Sequence, residues 1–143
     1  MPDVLKCNFA TWLPQLACAW EAQKSFEIHW IFGSDLVQTA SSHQEWNQKF
    51  HVYPASSHGR ATTFYRKDRK WIGEILANIR PDLVHAWGTE DVYGLAGVLS
   101  PAPCILSMQG ILSHLVRHGW HHPRIYFQAL LEVFRLRPAA HVT

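Results

Sequence analysis

Two short apolar runs, Leu83-Val84-His85-Ala86-Trp87 and Cys104-Ile105-Leu106-Ser107-Met108, constrain this chain more than any other feature. Pro81-Asp82 precedes the first and Pro101-Ala102-Pro103 the second, and each run leads to a glycine, Gly88 or Gly110. Runs of about five residues between such punctuation are too short for buried helices and fit strands covered on both faces. The segment from Glu90 to Leu99 is long enough for a short helix. The expected unit is strand, helix, strand, with parallel strands joined by a right-handed crossover. Ligands of open α/β sheets bind outside the carboxyl ends of the strands. His85, Thr89, Glu90 and Gln109 stand at or near those ends.

The rest of the chain alternates in the same way. Trp12, Leu13, Leu16, Ala17 and Trp20 have helical spacing, with Thr11 as N-cap. Phe26 to Phe32 reads as a strand, Ser41 to Asn47 as a short helix and Phe50 to Tyr53 as a strand. A helix is expected from Thr62 or Thr63 to Ile79, with Phe64, Trp71, Ile72, Ile75, Leu76 and Ile79 on its apolar face. Pro123 opens another, whose Phe127, Leu130, Leu131 and Phe134 follow i, i+3, i+4, i+7. Val4 to Cys7 reads as the remnant of a first strand, and Ala140 to Thr143 as the opening of a last one. The expected fold is one doubly wound α/β domain over residues 1–143 with a mainly parallel sheet, incomplete at both ends.

Composition narrows the function classes. A chain that is 48% hydrophobic and 17% charged folds as a globule, and a net charge of +2 does not argue for nucleic acid. Arg60, Arg66, Lys67, Arg69, Lys70 and Arg80 cluster, but Asp68 and Glu74 dilute them, which favours a solvated helix face over an anion or lipid-surface patch. Cys7, Cys18 and Cys104 lack CxxC spacing and read as buried free thiols in a reducing compartment. Without a long apolar run or an apolar leader, a cytoplasmic location is expected, with peripheral contact at the inner face of a membrane left open.

Thr89 can cap the helix that follows it, with Glu90 and Asp91 at the positive end of that helix. The functional alternative has Thr89 or Glu90 binding a hydroxylated ligand. His85 reads as a neutral, hydrogen-bonded core histidine. Gln109 and Gly110 serve equally as an ordinary turn or as a ligand contact. His114 and His118 have i, i+4 spacing and His121 and His122 lie nearby, but no third ligand is identified, so surface histidines are favoured over zinc and no metal is expected. GxGxxG, GxxxxGK[ST] and GxSxG motifs are absent from the sequence.

Pro81-Asp82-Leu83-Val84-His85-Ala86-Trp87-Gly88-Thr89-Glu90, followed by Ile105-Leu106-Ser107-Met108-Gln109-Gly110, resembles the N-terminal, acceptor-side domain of GT-B glycosyltransferases of the retaining family 4 type. Trp12 to Ala17, Glu27 to Trp30 and Ala140 to Thr143 are similar to further elements of that domain. The resemblance implies a Rossmann-like half of a two-domain enzyme that moves a hexose from a nucleotide-sugar to a glycan or lipid-linked acceptor. It implies Gln109 and Glu90 at the catalytic cleft and His85, Gly88, Thr89 and Gly110 as substrate-binding positions. Gln109 stands where many relatives carry His, and an amide handles no proton there. The nucleotide-sugar is a co-substrate held mainly by a C-terminal domain that this chain lacks, supplied in cis or in trans; no cofactor or metal is implied. By itself the chain is expected to be inactive. The competing expectations are a non-catalytic α/β interaction module, a split-enzyme subunit that needs a donor-binding partner, and a flavodoxin-like ligand-binding domain.

Overall fold

The computed structural model of the chain describes residues 12–56, 59–89, 91–108, 111–119, 122–136 and 141–142. Val4 to Cys7 and the Thr11 cap lie outside the described residues. The chain divides into two compact units, Met1–Ser57 and His58–Thr143.

In the first unit, the helically spaced segment forms α1 (Trp12–Glu21). Three strands follow: β1 (Ile28–Ser34), β2 (Ser41–Glu45) and β3 (Gln48–Pro54). The sheet order is β1-β3-β2, with β1 parallel and β2 antiparallel to β3. Strand alternation puts Gln48, Phe50 and Val52 on the buried face and leaves Lys49 and His51 on the half-buried one. Trp30 pairs with Phe50 in register, their rings stacked 6.3 Å apart. Gln48, fully buried, donates from Nε2 to the Ala17 carbonyl at 2.7 Å and accepts from Trp30 Nε1. Both ends of its amide are satisfied, so a polar residue sits in this core and ties α1 to the sheet.

The short helix expected over Ser41 to Asn47 is a strand instead. Trp46 takes a left-handed backbone (φ 56°), which reverses the chain and lays Ser41–Glu45 antiparallel along β3. Cross-strand pairing overrides a weak local preference.

The second unit contains a 3₁₀ turn (Ala61–Thr63), α2 (Arg66–Ile79), β4 (Val84–Trp87), α3 (Val92–Val98), β5 (Cys104–Ser107), α4 (Leu112–Leu115), α5 (Pro123–Leu131), a π-helical turn (Glu132–Leu136) and β6 (His141–Val142). Strands β4, β5 and β6 are parallel neighbours in that order. The strand–helix–strand order is met over β4, α3 and β5, with Val84 opposite Cys104 and Trp87 opposite Ser107, but the strands are not covered on both faces, since His85 and Ile105 are exposed. The structure is therefore mixed α/β with small sheets that contain parallel strands.

Helix α2 begins later than its sequence suggests, because Phe64 and Tyr65 are left-handed (φ 51° and 54°) and break the helical path. Its basic residues Arg66, Lys67, Arg69 and Lys70 are exposed. Arg60 departs from that solvated set: its guanidinium pairs with Asp68 at 2.8 Å and Asp91 at 3.3 Å. Ala86, Leu95, Leu106 and Leu136 form the core, with Val98, Cys104 and Met108 against it. Helix α3 comes close to the sheet because Gly97 has no side chain: a Cβ there would stand 2.7 Å from Ala86 Cβ and 2.8 Å from Cys104 Sγ.

The last helix turns a different face inward from the one its apolar spacing suggests. Leu130 and Phe134 are exposed, whereas Gln128, Ala129, Glu132 and Leu136 are buried. Gln128 donates to the Tyr65 hydroxyl at 2.9 Å, and Glu132 anchors the network described below. A four-residue step advances about 40° around an α-helix, so Gln128, Glu132 and Leu136 would drift apart. The wider π turn offsets that drift and keeps them aligned. The expectation of buried thiols fails at Cys18, which is exposed; Cys104 is half-buried, and burial pushes its thiol up. Cys7 lies outside the described residues. No described helix is long and apolar enough to cross a membrane.

Candidate functional site

The carboxyl ends of β4 and β5 lie side by side because the two strands are parallel and in register. Gly88, immediately after β4, takes φ 80° and donates its N–H to the Ser107 carbonyl at 2.8 Å. A Cβ on Gly94 would meet the Gly88 carbonyl oxygen at 2.6 Å, so glycine at 94 lets α3 start close behind the strand.

Thr89 is 3% exposed, and its hydroxyl points inward, donating to Glu132 Oε2 at 3.1 Å. The expected cap of α3 is therefore displaced by two residues: Asp91 is the N-cap and accepts from the Val92 amide at 2.8 Å. Arg60 reaches that same Asp91.

Glu132 is the residue around which this edge is built. It is fully buried and accepts from the Leu112 amide at 2.8 Å and the Ser113 hydroxyl at 2.7 Å, besides Thr89. Burial pushes its carboxyl up, but the Ser113, Leu112 and Thr89 donors outweigh burial and hold it below the ordinary carboxylate value. One ionised side chain thus bridges the segment after β4 and the segment after β5. Sequence reasoning did not find it. A single acid in the apolar stretch Ala129-Leu130-Leu131-Glu132-Val133-Phe134 was the available signal.

His85 lies on the exposed side of β4, not in the core. It hydrogen-bonds Ser107 Oγ through Nε2 at 2.7 Å and stacks on Trp87 with ring centroids 4.3 Å apart. Its partial burial pushes the imidazole below the ordinary value, which favours the neutral form. Glu90, Gln109 and Gly110 lie outside the described residues. His114 and His118 approach with ring centroids 5.4 Å apart, and His122 caps α5 by accepting from the Arg124 amide at 3.3 Å. His121 lies outside the described residues, and no group of three or more metal-ligating side chains occurs among the described ones.

In chemical terms, the two strands offer a neutral imidazole, a serine hydroxyl and an aromatic face, and the segments that follow them are tied together by a carboxylate. Such groups orient hydroxylated ligands through hydrogen bonds and stacking. Comparison of the chain with protein families, with curated proteins and with solved structures finds no match.

Proposed function

We propose that this chain is the acceptor-side wall of a GT-B-type glycosyltransferase of the retaining kind, with a Rossmann-like doubly wound design completed by a donor-binding domain in cis or in trans. The observation that carries the reading is the joined carboxyl edge of β4 and β5, where Glu132 locks the segments that follow both strands into one surface. On this reading the sugar acceptor lies over the edge with His85 and Trp87 beneath it. Gly88 and, by the resemblance, Gly110 take substrate-binding roles, and the resemblance assigns Glu90 and Gln109 to the chemistry at the transferred hexose. Thr89, turned inward, is a positioning residue that acts through Glu132. The nucleotide-sugar is gripped by the other domain, so this chain alone positions one of two substrates and does not catalyse transfer. The enzyme would work in the cytoplasm or against the inner face of its membrane.

The test is an NMR titration of amide resonances with neutral oligosaccharides and, separately, with nucleotide-sugars. Saccharides should shift Gly88, Thr89 and Ser107, and nucleotide-sugars should bind weakly or not at all. If no saccharide moves those amides at millimolar concentration, the reading fails.

A second reading, an interaction module or split subunit, draws on one observation: Leu130, Val133 and Phe134 leave an apolar stripe exposed on the last helix. Size-exclusion of the chain with and without a candidate donor-domain protein separates the two. A stable complex that restores transfer identifies a split enzyme, and a stable complex without transfer identifies an interaction module.

A further inference from the structure

The half-buried face of the first unit's sheet carries four polar side chains in a continuous hydrogen-bonded line. Ser42 Oγ lies 2.8 Å from His51 Nδ1, His51 Nε2 lies 2.8 Å from His29 Nδ1, and His29 Nε2 lies 3.1 Å from Glu27 Oε1. The sheet register makes the line: Ser42 is directly opposite His51, and His29 is diagonal to it across β1 and β3. The two imidazoles are 4° from parallel with centroids 5.1 Å apart. That separation equals the nitrogen–nitrogen contact plus about one ring diameter, so the rings meet edge to edge and the hydrogen bond lies in both ring planes.

With both imidazoles neutral, the carboxylate sets the order of the protons along the line. Lys49 and His29 hold Glu27 below its ordinary value, so it is ionised and only accepts. While His29 is neutral, its proton lies on Nε2 toward that carboxylate and Nδ1 accepts. His51 donates from Nε2, so its Nδ1 accepts and the Ser42 hydroxyl donates. Burial first, then the charge His29 carries when it is protonated, then that of Lys49, push His51 below the ordinary imidazole value, which keeps it neutral near pH 7. A hydroxyl on a neutral base that a third group orients is the arrangement that activates serine nucleophiles. Ser42 at one end of the line and Glu27 at the other are both exposed, and only Ser42 carries a hydroxyl.

We propose that Ser42 is an acyl-accepting nucleophile for activated carboxylic esters, with His51 as general base and His29 and Glu27 as positioning residues. Ser42 Oγ adds to the ester carbonyl carbon while its proton passes to His51 Nδ1. The bond from carbon to the alkoxy oxygen then breaks, and the His51 proton leaves on the alcohol. Water repeats the sequence on acyl-Ser42, releasing the acid and restoring the serine.

The experiment uses the full chain with a fluorophosphonate probe and with 4-nitrophenyl acetate, followed by mass mapping of the adduct. A single adduct on Ser42 is expected, absent in Ser42→Ala and unchanged in Ser41→Ala. His51→Gln should slow labelling by at least about 100-fold, the scale of general-base assistance. His29→Asn should slow it by at least about tenfold through loss of orientation. The labelling rate should rise with pH through one ionisation below the ordinary imidazole value of 6.5 and then level off. Equal labelling of several exposed serines, or an unchanged rate in His51→Gln with an unchanged melting curve, overturns the proposal. If His51→Gln fails to fold, the rate in folded His29→Asn decides: no slowing overturns it.

Discussion

The Thr89 hydroxyl donates to Glu132 at 3.1 Å across 43 residues of sequence, joining the turn after β4 to the π turn that ends α5. The same carboxylate takes the Leu112 amide and the Ser113 hydroxyl. Hydrogen bonds to a charged acceptor contribute about 1.5–3 kcal/mol each, and a buried donor left unpaired costs about 1–3 kcal/mol. Glu132→Gln keeps the shape but turns an NH₂ group toward donors. It should lower unfolding stability by about 2–3 kcal/mol, measured by urea denaturation. Thr89→Val should cost less, since the Leu112 and Ser113 donors remain.

The pH dependence of stability follows from the same group. Its folded pKa lies below the ordinary 4.5, so Glu132 adds stability above that value. The contribution is lost as pH falls from about 4.5 through the folded value. The urea midpoint of the wild type should drop over that window more steeply than the midpoint of Glu132→Gln. Parallel curves would contradict the assignment.

Two glycines make opposite predictions. Gly97→Ala forces a methyl against Ala86 and Cys104 where no room exists, and overpacking of this kind costs about 1–3 kcal/mol. At Gly73, inside α2, an added methyl would meet nothing within 4 Å, so Gly73→Ala should stabilise the chain by about 0.5–1 kcal/mol. Thermal melts of the two variants should move in opposite directions.

Arg60 tests the cost of a stranded charge. Asp68 is 4% exposed and relies on the Arg60 guanidinium. Arg60→Met should cost about 3 kcal/mol or more, because it leaves a buried carboxylate uncompensated. Adding Asp68→Asn should recover part of that loss, and a double-mutant cycle by urea denaturation measures the coupling directly.

The central strands were legible because proline and glycine punctuate them and their apolar runs are short. Strand β2 was not, since Ser41-Ser42-His43-Gln44-Glu45 has no apolar alternation and becomes a strand only by pairing with β3. The inward face of α5 was misread because Gln128 and Glu132 are buried through partners distant in sequence, Tyr65 and Thr89. Spacing alone placed Leu130 and Phe134 inside. His29 and His51 were visible as alternating positions in two strands. Their contact depends on the strand register, which no local pattern encodes.

Glu132 also acts as a tethered competitor. The Leu112 amide and the Thr89 and Ser113 hydroxyls are the kind of donors that phosphate groups seek at strand ends, and a carboxylate on the same chain already holds them. A group anchored this way competes at an effective concentration on the order of millimolar or more, without ever leaving. An anion arriving from solution must evict it and face its charge, whereas a neutral polyol need do neither. On the acceptor-wall reading, selectivity against phosphorylated ligands would thus come from a residue that need touch no ligand at all.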